Sequence, residues 1–314
     1  MKNLQFLLDS QTDSKIFYWM RTFALIAVVM AHATFVHPDS QVLDRLLASF
    51  LDCGVAVFFF AAGAYWSWNP FSVTWKRIVR LLPSWILLGS LVYAVGAVKT
   101  GFSMSGWLLW LVGKNTYLWY LSIYVILQIA FYIQRMSKKR SLVLCISVMM
   151  VSRIATACLG LSGYQAFLNP LNWIGFFATG ILFRMYANTV ENKRKKIPVF
   201  IPIAAIVAIV AFAYLDTLMH TTRLDYWSYF DVFSQFAWIV LLFYLSRILV
   251  RIHGYEVGKA SLPIYLLHIP VIGLVTNRLT VGVLPTMVVS VMVICVLYIC
   301  LLFVKKIAAK CNLE

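Results

Sequence analysis

The chain has 314 residues, of which 62% are hydrophobic and 12% charged, with a mean hydropathy of +0.85. A water-soluble domain of this length needs far more polar surface, so a soluble enzyme is excluded and a polytopic membrane protein is expected. The net charge of +16 does not point to nucleic acid, because the basic residues are confined to short segments between apolar runs.

Those runs are each close to the roughly 20 residues that cross a bilayer. They predict an all-α membrane helix bundle, one domain over 1–314, with ten spans at 17–36, 51–68, 81–98, 116–134, 141–159, 167–187, 197–215, 228–249, 258–277 and 282–304. The first span, "MRTFALIAVVMAHATF", carries Arg21 and His32. At 100° per residue, eleven residues bring both side chains to one helix face, about 16 Å apart along the axis. Charged or ionisable residues inside spans are costly and usually face a bundle interior or cavity. Snorkelling to headgroups for Arg21, and a backbone-bonded structural role for His32, are the plainer alternatives. "AHA" at Ala31–Ala33 also fits a signal-peptide cleavage pattern, but the apolar run begins before Arg21 and is long enough to anchor.

The second span reads "DCGVAVFFFAAGAYWSW". Its small residues, Gly54, Ala61, Ala62 and Gly63, allow close helix approach. Asp52, level with His32 in depth, could orient it or receive its proton, with a solvated loop carboxylate as the default. "WKRIVRLLPSW" opens the third span, where Arg77 and Arg80 at i and i+3 share a face and could grip phosphates, unless they are ordinary topology signals. Segment 102–113 is apolar but too short to cross, and reads as interfacial or re-entrant. Arg153 in the fifth span, Asp216 and His220 after the seventh, and Glu256 before the ninth are weaker candidates. In "SLPIYLLHIPVI" of the ninth span, Tyr265 lies three residues before His268 and on the same face. A polar packing contact is the alternative to a site.

The six cysteines show no CxxC and no His-paired metal spacing, so they read as small hydrophobes, and no metal site is expected. Cys53 and Cys158 both fall near outer span ends, so a disulfide between them is the minor alternative. Of the 27 Lys and Arg residues, 20 lie on one set of loops and tails and 5 on the other. That bias predicts cytoplasmic termini, with contact to anionic membrane lipids as a by-product.

Taken together, the chain resembles the acyltransferase-3 family of integral membrane acyltransferases. The resemblance rests on R-x10-H at Arg21 and His32, "GVAVFFFAAG" in span 2, R-x-x-R at Arg77 and Arg80, "LWYLSIY" at 118–124 and "LPIYLLHIP" at 262–270. The flanks depart from the common pattern: Trp19–Met20 and Thr22 surround Arg21, and Ala62–Gly63 stands where Ser-Gly is usual. No fused SGNH-type hydrolase domain is expected after the last span.

The resemblance implies transfer of an acyl group, commonly acetyl, from cytoplasmic acyl-CoA to a hydroxyl of an extracytoplasmic or lipid-linked glycan. It implies Arg21 and His32 as catalytic residues, Arg77 and Arg80 as CoA-phosphate ligands, and residence in a bacterial cytoplasmic (inner) membrane. A glycan transporter and a non-enzymatic subunit of a polysaccharide-synthesis complex remain open at this point.

Overall fold

The computed structural model describes residues 11–33, 42–66, 71–114, 116–134, 138–161, 163–191, 198–219, 230–276 and 283–311. These residues form α1 Gln11–Ala33, α2 Val42–Ala64, α3 Phe71–Thr100, α4 Met104–Val112, α5 Trp119–Ile133, α6 Lys139–Cys158 and α7 Gly163–Phe167. There follow α8 Ile174–Glu191, α9 Phe200–Leu218, α10 Asp231–Leu249, α11 Tyr255–Lys259, α12 Ser261–Thr276 and α13 Val283–Cys311. Among the described residues there is no strand.

Each expected span corresponds to an apolar helix. Among the described residues, six are long and apolar enough to cross a membrane by length and composition (α1, α2, α3, α6, α9, α10), and four shorter apolar helices lie in α5, α8, α12 and α13. Two boundaries differ for local reasons. The helix of the third span begins at Phe71, so Arg77 and Arg80 lie inside it rather than ahead of it. The sixth span is interrupted at its start, where the Asn169 side chain accepts from the Leu171 N–H at 3.0 Å and caps a 3-10 turn over Pro170–Asn172. Pro170 opens that turn, lacking the N–H that a continuing helix would need, and α8 starts only at Ile174. Segment 102–113 forms the nine-residue α4, begun by the Ser103 cap and ended by Gly113 at φ 100°. The indole N–H groups of Trp107 and Trp110 clip it to Ser90 Oγ and the Gly89 carbonyl of α3 at 2.9 and 3.1 Å.

The packing order is that of a membrane bundle. α1 and α2 are central, and α1 packs on α2, α10, α11, α12 and α13. α3 is peripheral, with 6% of its apolar window buried and Ile86, Leu87, Leu91, Val95 and Val98 turned outward. In lipid an apolar exterior costs nothing, and close helix contact must come from small residues and satisfied polar groups. Both devices are present. A Cβ on Gly63 would stand 2.0 Å from the Phe177 carbonyl oxygen, and one on Gly180 would stand 2.1 Å from the Phe60 oxygen, so α2 and α8 cross in backbone contact.

Near the end of the bundle that includes Asp52, Arg153 is the polar fastener. It is 4% exposed and donates to Asp231 Oδ2 at 3.4 Å, Gln235 Oε1 at 3.0 Å and the Asn172 carbonyl at 3.1 Å, with the Trp173 ring 4.7 Å away. Gln235 also donates to Asp231 at 2.6 Å and to the Asp52 carbonyl at 3.4 Å, tying α2, α6, α10 and the turn ahead of α8 together. Arg184 of α8 closes the other end of α2, donating to the Ala64 and Trp66 carbonyls at 3.3 and 3.4 Å. Cys53 is buried and Cys158 exposed, and both are free thiols, so the disulfide considered for them does not form.

Candidate active site

Arg21 lies at the level of the Tyr18 and Tyr65 rings, 5.9 and 5.3 Å from them. No carboxylate among the described residues pairs with it. It lines a cavity of about 150 Å³ between α1, α2, α3, α5 and α12, with Phe58, Leu81, Tyr120, Tyr124, Ser261 and Tyr265 among the walls. The Tyr124 hydroxyl sits in the field of both Arg21 and Arg77. The arginine pair read as one unit is therefore split: Arg77 is half-buried and acts on Tyr124, while Arg80 is exposed.

At the opposite end of α1, His32 is one residue from the helix terminus and exposed. Its ring centre lies 5.1 Å from that of His268, which is wholly buried. The main chain of α12 explains how His268 is held. Pro270 has no N–H, so the carbonyl four residues back, Leu266, loses its helical donor. The Tyr117 hydroxyl supplies the missing bond at 2.7 Å, and the Tyr265 hydroxyl donates in return to the Tyr117 carbonyl. His268 Nδ1 is hydrogen-bonded to the Tyr265 carbonyl. A carbonyl only accepts, which assigns the hydrogen to Nδ1 and leaves Nε2 as the lone-pair nitrogen. Nε2 is buried with no hydrogen-bond partner among the described residues.

Tyr265 thus connects the two parts. It is a wall of the Arg21 cavity, and its carbonyl holds the histidine that touches His32. Tyr265 so links Arg21 on α1 to the His32–His268 pair, and Arg77 lies near enough to act on Tyr124 of the cavity wall. Asp52 is placed elsewhere: its neighbours are Gln235 and Asp231 of α10, and the ring against His32 is His268. Of the weaker candidates, Arg153 and Asp216 lie around Asp231. Burial opposes ionisation of Glu256, but bonds from its own and the Gly254 N–H, with His253 and Tyr255 beside it, hold its carboxyl below the usual range. His220 lies outside the described residues.

Sequence reasoning assigned no role to Tyr117, Tyr120 or Tyr124. Their i, i+3, i+7 spacing inside an apolar segment was the available signal, although α5 begins only at Trp119 and leaves Tyr117 in the turn before it.

Fold and site together define a polytopic α-helical membrane protein with a tyrosine-lined cavity at Arg21 and, joined to it through Tyr265, a pair of adjacent histidines. The acyltransferase-3 family profile, described as an acyltransferase domain, matches residues 16–305. The chain belongs to this family and is a membrane acyltransferase. No curated protein and no solved structure matches it.

Proposed function

We propose that the protein transfers a short acyl group, acetyl in the first instance, from cytoplasmic acyl-CoA to a hydroxyl of a cell-surface or lipid-linked glycan. The observation that carries this reading is Tyr265, which walls the Arg21 cavity and whose carbonyl holds His268 beside His32. A phosphate-rich donor needs cations at its end of the site, and Arg21 and Arg77 are placed for that. A glycan hydroxyl needs a base at the other, and His32 is exposed there.

In this scheme His32 takes the proton of the acceptor hydroxyl as the oxygen attacks the thioester carbon. The new C–O bond forms, the C–S bond breaks, and the proton passes from His32 to the departing CoA thiolate. Arg21 holds the pantetheine arm in the cavity, from which the thioester end extends toward His32, and Arg77 meets the phosphates nearer the cytoplasmic side. Basic-residue bias supports a cytoplasmic Arg77 end, and a bacterial cytoplasmic membrane fits that arrangement. The chemistry requires no metal ion, and among the described residues no His, Cys, Asp or Glu group could hold one.

The test is mass spectrometry of surface glycans from cells lacking the protein, complemented with wild type or His32→Ala at equal membrane abundance. Wild type should restore an acyl mass increment and His32→Ala should not. Restoration by both removes His32 from the mechanism. No acyl difference with either, and no thiol release from acyl-CoA by the purified protein, overturns the proposed reaction.

A further inference from the structure

Resting on the acyl-transfer reading, we propose that His268 is the positioning residue for His32: its Nε2 accepts the N–H of the His32 ring and so aims the other His32 nitrogen at the acceptor hydroxyl. Three independent features of the molecule converge on this. The first is the orphaned nitrogen. Nε2 is buried without a partner among the described residues, on a side chain that is 0% exposed. Native proteins leave few buried acceptors unpaired, because a lost hydrogen bond in a dry interior is costly.

The second feature is the fixed tautomer. The Tyr265 carbonyl claims the Nδ1 hydrogen, so the nitrogen left over is an acceptor by construction. The third is the mounting. Tyr117 fills the Leu266 carbonyl freed by Pro270, and Tyr265 bonds back to Tyr117, so the turn of α12 that carries His268 is braced from outside the helix. The ring centres stand 5.1 Å apart at a tilt of 49°, and rotation of the exposed His32 ring brings nitrogen to nitrogen.

The division of labour follows. His32 exchanges the proton with the reacting groups, and His268 keeps its own Nδ1 hydrogen throughout. When His32 becomes an imidazolium, its bond to His268 Nε2 becomes charge-assisted and stronger, so the contact favours the transition state over the ground state. Two neutral histidines, one donating its ring N–H and the other accepting it, perform the orienting task that a carboxylate performs elsewhere, without placing a negative charge in the membrane.

The experiment measures kcat and KM for acetyl-CoA by thiol release with purified protein, an acceptor glycan and three substitutions at one site. Glutamine places its amide oxygen where Nε2 stands, whereas asparagine reaches only the Nδ1 position and leucine offers neither. His268→Gln should keep kcat within about threefold of wild type, while His268→Asn and His268→Leu should lose about 10- to 100-fold, the factor a charge-assisted hydrogen bond supplies. KM for acetyl-CoA should stay within about twofold in all three, because His268 does not bind the donor. Variants are compared only when their thermal midpoints match wild type. Should leucine fail to fold, His268→Met takes its place as the apolar variant.

Equal kcat for glutamine and leucine, high or low, overturns the acceptor role, and so does asparagine outperforming glutamine. If wild type itself releases no thiol, the acyl-transfer reading fails instead, so the two failures are distinguishable.

Discussion

Gly63 and Gly180 face each other where α2 crosses α8, and replacing either with alanine tests whether the crossing is as tight as it looks. The Gly63 methyl would lie 2.0 Å from the Phe177 oxygen and 2.8 Å from its carbonyl carbon; the Gly180 methyl would lie 2.1 Å from the Phe60 oxygen and 2.7 Å from the Ala64 nitrogen. Ordinary contact begins at 3.4 Å, so each methyl is short of space by more than an ångström. The obstructing atoms are helix backbone and cannot rotate aside, so the two helices must part. Overpacking of this kind costs about 1–3 kcal/mol, and the upper end is expected here. Parting the helices for one methyl also makes room for the other. The double variant should therefore fall short of the summed single losses by at least about 0.5 kcal/mol.

The assay is thermal unfolding in detergent, read by a thiol-reactive dye as buried Cys53 and Cys145 emerge, with exposed Cys158, Cys295 and Cys300 setting the baseline. At about 2–4 °C per kcal/mol, each single variant should lower the midpoint by several degrees. Unchanged midpoints would refute the tight crossing. Strictly additive losses would refute the shared space.

Two further outcomes follow from the polar groups. Arg153→Leu should destabilise the protein by about 3–5 kcal/mol, because Asp231 is left buried without its guanidinium, and adding Asp231→Leu should recover most of that loss; a double-mutant cycle in detergent measures it, and a zero coupling energy would refute the pairing. Arg77→Ala should raise KM for acyl-CoA about tenfold or more, the worth of a charged hydrogen bond, and Arg80→Ala much less. Equal effects in thiol-release kinetics would show that the different exposure of the two arginines has no consequence.

Hydropathy was enough to place the ten apolar segments, because in a membrane the length of a span is set by the bilayer and written in its composition. Helix periodicity likewise put Arg21 and His32 on one face of α1. Depth was a weaker guide. Asp52 is level with His32 along the axis, yet the rotation of α2 turns it toward Gln235 and Asp231, and depth carries no information on rotation.

The contact of His32 with His268 joins residues in the first and ninth spans, and no local pattern encodes it. Arg153 read as a weak candidate because its partners come from the α7–α8 turn and α10, far along the chain. Arg77 and Arg80 show the same limit on a smaller scale: spacing gives the angle between two side chains but not which neighbour each one meets.

The exchanged bonds between Tyr117 and α12 have a consequence for biosynthesis. The two ends of the Tyr117–Leu266 bond are 149 residues apart in the chain. At about 5–20 residues per second, a ribosome needs roughly 7–30 s to travel that distance. For that interval the Tyr117 hydroxyl already resides in the membrane while the carbonyl it will serve has not been made. The brace between the segment ahead of α5 and α12 is therefore completed late, and with it the seat that holds His268 beside His32.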